Sequence, residues 1–118
     1  MAIQKGRAVM LETKTILVEE RHLDAALAVG LNAMTPTNAY CSQCVVGQAL
    51  SEAFNEPTNA QLPCRAYVGG LGGTQTWLVT RDSREVYGNL IHAFDTLGGE
   101  KVRVLLPATI VLQREVGR

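Results

Sequence analysis

The stretch CRAYVGGLGGTQTWLVTRDSREVYGNLIHAFDTLGG, residues 64–99, decides the fold class. Cys64–Val68 and Thr74–Thr80 read as short strands, separated by the glycine-rich GGLGG at 69–73. Two such runs around a glycine tip predict a β-hairpin, because glycine reaches positive φ without steric cost. The period then changes. Val86, Leu90, Phe94 and Leu97 recur at helical spacing, and Tyr87 and Ile91 widen the stripe. Asp82 followed by Glu85 is a capping-box-like start, and Gly98-Gly99 is the expected stop.

Reading back toward the N-terminus, NEPTNAQLP at 55–63 is a loop built of stop signals. Ser42–Phe54 predicts a helix despite Gly47, with Ser42 as its N-cap and Cys44, Val45, Ala49 and Leu50 at helical spacing. NAMTPTNAY at 32–40 is a turn-rich connection, and Glu20–Val29 is a further helix with acidic residues at its positive end. Thr13–Glu19 is β-branched and alternating, a strand, and residues 1–11 form a short N-terminal arm ahead of a single domain at 12–118. Toward the C-terminus, Val102–Leu106 and Ala108–Val116 read as strands broken at Pro107, which cannot donate a ladder hydrogen bond. The order β-α-α-β-β-α-β(β) predicts an α+β domain, a mostly antiparallel sheet with about three helices on one face.

Composition narrows the function classes. The 118 residues are 47% hydrophobic and 19% charged, with eleven basic side chains matched by eleven acidic ones. A neutral chain lacks the one-signed field of a non-specific nucleic-acid binder or an acidic DNA mimic. No charge at all falls between 25 and 51, yet polar residues interrupt that segment too often for a membrane span of ~20 apolar residues. The start MAIQKGRAVML has no secretory apolar core. Three cysteines, an odd number, fit a reducing compartment, so a cytoplasmic or virion location is expected.

Cys41 and Cys44 form a CxxC pair that Cys64 with His22 or His92 would complete as a zinc site, but a second paired motif is missing. The redox alternative lacks the strand–CxxC–helix order of a thioredoxin-like site, and free cysteine ordinarily acts as a small buried hydrophobe. His92 has Asp95 one helical turn on, but no nucleophile stands in a recognisable context, so neither catalysis nor a cofactor is expected. Tyr40, Tyr67, Tyr87 and Trp77 are the aromatic candidates for a partner interface, with Tyr67 and Trp77 expected as cross-strand neighbours and Arg65, Arg81 and the loop-tip Leu71 beside them.

Four strings in order resemble one family: VEERHLDAA (18–26), CVVGQAL (44–50), IHAFDTLGGEKV (91–102) and LLPATIVL (105–112). The family is a group of small uncharacterised tailed-phage proteins, with an E-x-H-[IL] helix start, C-P-[VI]-A-x-A-[LI], F-D-x-G and a closing V-x-P-x-x-[FI]-x-L strand. Here Val45 replaces the proline, Cys41 is extra, and residues 96–104 are longer. The resemblance implies a phage-type accessory protein and no particular reaction. The expected role is binding a protein partner or self-association, as an anti-CRISPR-type host-defence inhibitor or a virion component. A nucleotide or small-ligand module around 69–73, Arg65, Arg81 and Trp77 is the alternative, and a CxxC zinc or redox protein the third.

Overall fold

Strand burial alternates with a period of two, and that alternation assigns every helix to one side of a five-stranded sheet. The computed structural model describes residues 10–28, 44–69, 75–96 and 99–116. Its strands are β1 (Met10–Val18), β2 (Thr58–Gln61), β3 (Arg65–Val68), β4 (Gln75–Val79) and β5 (Ala108–Val116). Its α-helices are α1 (Glu20–Ala28), α2 (Val45–Phe54), α3 (Arg84–Thr96) and the one-turn α4 (Gly99–Arg103). The sheet order is β1-β5-β4-β3-β2, with every neighbouring pair antiparallel. The α+β class and the antiparallel sheet are therefore as the sequence predicts.

Ile16, Val18, Ala66, Val68, Trp77, Val79, Ile110 and Leu112 are buried and point to the helices. They meet Leu23, Val46, Leu50, Tyr87, Leu90 and Phe94 in one hydrophobic core. α2 touches both edge strands, β1 and β2, so the sheet curls around it. Burial of this apolar surface is the main stabilising term. Among the described residues no helix is long and apolar enough to cross a membrane.

Local details depart from the sequence reading: Asp82 lies in a 3-10 turn ahead of α3 and Gly99 begins α4, and four further places differ. β1 begins at Met10, so the last two residues of the expected arm pair with Val116 and Glu115. The 55–63 loop contains β2, with Thr58–Gln61 paired antiparallel onto β3. Val102–Leu106 is not a strand: α4 runs to Arg103, and Val102 is buried as a helix residue rather than as part of a ladder. Finally, α2 starts after Cys44, whose sulfur accepts the Gly47 N–H at 3.5 Å, in place of the expected Ser42 cap. Val45 is thus the first residue of the helix, a position where proline is also favoured. Asn55 closes α2 in the left-handed conformation, φ 57°.

Candidate functional site

Three polar clusters and one open surface are the places where this fold could act. The first cluster joins α1 to α2. His22 is the third residue of α1, and its Nδ1 accepts the Glu19 backbone N–H at 2.9 Å, as an N3 side chain does in a capping box. With Nδ1 spent as an acceptor, the proton is on Nε2, which donates to Glu52 Oε1 at 2.5 Å. Glu52 also pairs with Arg21, whose Nε bonds Glu19 at 2.8 Å. Arg21 first and His22 second hold the Glu52 carboxyl at about 2, below the ordinary 4.5. Both ring nitrogens of buried His22 are committed to fixed partners, so the imidazole has no site left for a substrate proton. The E-x-H-L helix start was visible in the sequence; Glu52, thirty residues away, was not.

The second cluster closes the β2–β3 hairpin. In an antiparallel ladder alternate residues exchange both backbone bonds. Gln61 faces Arg65 in register, but the Tyr87 hydroxyl stands between them. It accepts the Gln61 N–H at 3.2 Å and donates to the Arg65 carbonyl at 2.5 Å. Burial pushes the Tyr87 phenol up from its ordinary 10.0. Tyr67 bonds Gln61 Oε1 at 2.7 Å on the opposite face.

The third cluster surrounds Trp77. Its ring centroid lies 5.1 Å from that of Phe54, the Arg114 guanidinium sits 5.2 Å from the Trp77 ring, and Lys14 lies 5.2 Å from the Phe54 ring. This cation–aromatic stack leaves Trp77 3% exposed, and its Nε1–H bonds Gln75. Trp77 is consequently a core residue of the helix side, directly opposite Ala66 rather than Tyr67.

The strand alternation also separates the other candidates. Arg65 and Tyr67 point to the open face, away from Trp77, so Arg65, Arg81 and Trp77 do not assemble into one ligand site. Tyr40, Cys41 and Leu71 lie outside the described residues, as does most of the 69–73 loop. Cys44 is fully buried and disulfide-bonded, not the free thiol expected from the sequence, whereas Cys64 is a free, half-buried thiol. His92 is on the exposed side of α3. Among the described residues no group of three His, Cys, Asp or Glu side chains is placed to hold a metal.

A cavity of about 240 Å³ opens between α3 and the start of β5, lined by Val86, Asn89, Leu90, Leu105, Pro107 and Ala108. It is below the usual range of a drug-sized ligand, ~300 Å³ and upward, and contains no charged side chain.

What remains is the sheet face turned away from the helices. On it Leu11, Leu17 and Leu78 are 58%, 48% and 39% exposed. Between and around them lie Thr13, Thr15, Thr76, Thr109, Val111 and Gln113, all uncharged. Two charged residues share this face, Glu115 directly opposite Leu11 and Arg65 directly opposite Leu78. Comparison with known proteins adds no relative: no family model, curated protein or solved structure matches the chain.

Proposed function

We propose that the chain is a binding module that docks a protein partner through the open face of its sheet, rather than an enzyme. The observation that supports this reading is the exposure of Leu11, Leu17 and Leu78 together on one face, on strands whose other side packs the core. An antiparallel sheet tolerates one solvated face, but that face is ordinarily polar and charged. Leucines interleaved with threonine are suited to desolvation against a protein surface, and poorly suited to phosphate or carboxylate ligands. The committed nitrogens of His22 and the buried Tyr87 hydroxyl support binding over catalysis, since neither can move a substrate proton. The resemblance to small tailed-phage proteins supplies the setting: an accessory protein whose partner is a host defence component or another virion protein.

The test is a tagged pull-down from cell lysate with the wild type and with the double variant Leu17→Lys/Leu78→Lys, each verified as folded by circular dichroism. The expected outcome is a protein retained by the wild type and lost by the variant. Equal retention by both, or no retention by either, would overturn the reading. A nucleotide that raises the melting temperature would favour the ligand-binding alternative instead.

A further inference from the structure

We propose that two copies of this chain join through the exposed edge of β1, antiparallel and centred on Thr13. The two edges of the sheet are built differently. β2 is four residues long, and Ser51 Oγ both accepts its Thr58 N–H at 2.9 Å and donates to its Thr58 carbonyl at 3.3 Å. That edge is blunted by a side chain. β1 is nine residues long and, among the described residues, pairs only with β5.

The direction of its free groups follows from the register. Thr80 N–H bonds the Val111 carbonyl, so odd residues of β5 bond β4 and even ones bond β1. Ile110 and Leu112 face Ile16 and Lys14, so even residues of β1 are used within the sheet. Leu11, Thr13, Thr15 and Leu17 therefore turn their backbone groups outward, and among the described residues nothing bonds them.

Side-chain charge then selects the register. A twofold through residue 12 sets Glu12 against the partner's Glu12, and one through residue 14 sets Lys14 against the partner's Lys14. Both place like charges directly opposite. Centring on Thr13 brings Glu12 opposite the partner's Lys14, and Lys14 opposite the partner's Glu12. Glu12 already bonds Arg114 at 2.8 Å, so the join extends a basic–acidic–basic row across three strands, twice. The same register makes Thr13, an outward-turned residue, the hydrogen-bonded central pair. It also sets Met10, 67% exposed, against the partner's Ile16, and Leu11 against the partner's Thr15. The paired segment is 10–16. Leu17 and Leu78 lie outside it, so this inference does not rest on the docking reading, and the Leu17→Lys/Leu78→Lys variant should remain dimeric.

The test combines light scattering with cysteine cross-linking of the full chain. The wild type is expected at twice the chain mass, and Thr13→Pro at the chain mass, because proline at 13 deletes an outward N–H and spares every β1–β5 bond. In a Cys64→Ser background, Thr13→Cys should form an intermolecular disulfide under mild oxidation. Thr15→Cys should not, since the two copies of residue 15 lie four residues out of register, on the order of 13 Å apart. A monomeric wild type would show instead that Lys14 guards a solitary edge, and would overturn the proposal. So would a dimer that survives Thr13→Pro, or one that cross-links through Thr15→Cys but not Thr13→Cys.

Discussion

Replacing Tyr87 by Phe isolates the hydroxyl that closes the β2–β3 hairpin. The ring stays, with its packing among the fully buried residues of the core, and only the oxygen is lost. Two backbone groups then lack a partner: the Gln61 N–H and the Arg65 carbonyl. A fully buried orphan costs ~1–3 kcal/mol. The adjoining turn is accessible, Leu62 being 48% exposed, so water reaches these groups in part and the low end applies to each. The expected loss is about 2 kcal/mol in all. With an m-value of about 1.5 kcal/mol/M for a domain of this size, the urea midpoint should fall by about 1.3 M at unchanged slope.

High pH supplies a second reading of the same hydroxyl. The folded-state pKa of Tyr87 is raised by burial, so its contribution is fully present below the unfolded value near 10 and is lost as pH rises beyond it. Wild-type stability should therefore decline more steeply above pH 10 than that of Tyr87→Phe. A midpoint shift under about 0.4 M, together with parallel alkaline profiles, would refute the bridging role, since it would mean that the two backbone groups pair without the phenol.

His22→Ala should cost about 2–3 kcal/mol, roughly 1 of it from the lost cap on Glu19 N–H and the rest from the emptied buried site. His22→Asn, whose Oδ1 occupies the place of Nδ1, should recover about 1 kcal/mol of that in the same urea titration. Because the Glu52 carboxyl is held at about 2, its stabilising contribution is present above the ordinary 4.5 and lost as pH falls through that window. Acid titration of Glu52→Gln should consequently be flatter between those values than the wild type. Ser83 Oγ accepts the Val111 N–H at 2.9 Å where the β4–β5 ladder stops, so Ser83→Ala should cost about 1 kcal/mol and speed amide exchange at Val111.

Most of the architecture was legible because it rests on local signals. The stripe of Val86, Leu90 and Phe94 announces α3, and the glycine-bounded runs at 64–80 announce the hairpin strands. What the sequence concealed depends on partners distant along the chain. TNAQ has little strand propensity, and becomes β2 because β3 offers a ladder and Ser51 and Tyr87 bond backbone groups at its two ends. Val102–Leu106 has strand-like composition, yet Val102 is needed under α1 and α3, and Arg103 reaches Glu20 and Asp24 from a helical turn. The candidate site divides in the same way. Exposed Leu17 and Leu78 follow from counting alternate positions on a strand, whereas the burial of Trp77 required Phe54 and Arg114, contributed by other elements.

The polar pins of the sheet come almost entirely from the helix side. Tyr87, Ser51 and Ser83 each place a hydroxyl on a backbone group where a ladder ends, and His22 with Glu52 ties α1 to α2, the helix that packs on β1. On the open face the comparable contacts among the described residues gather at the hairpin end, where Tyr67 bonds Gln61 and Arg65. Strand positions are thus determined from one side, and most residues on the other side are free of any duty to the fold. Exposed strand substitutions without such a contact ordinarily change stability by about 0.5 kcal/mol or less. Leu17→Lys and Leu78→Lys should then leave the urea midpoint within about 0.3 M of the wild type, on the m-value used for Tyr87→Phe. A larger shift would mean that the leucines stabilise the sheet themselves, and loss of a partner in that variant would no longer report on the interface.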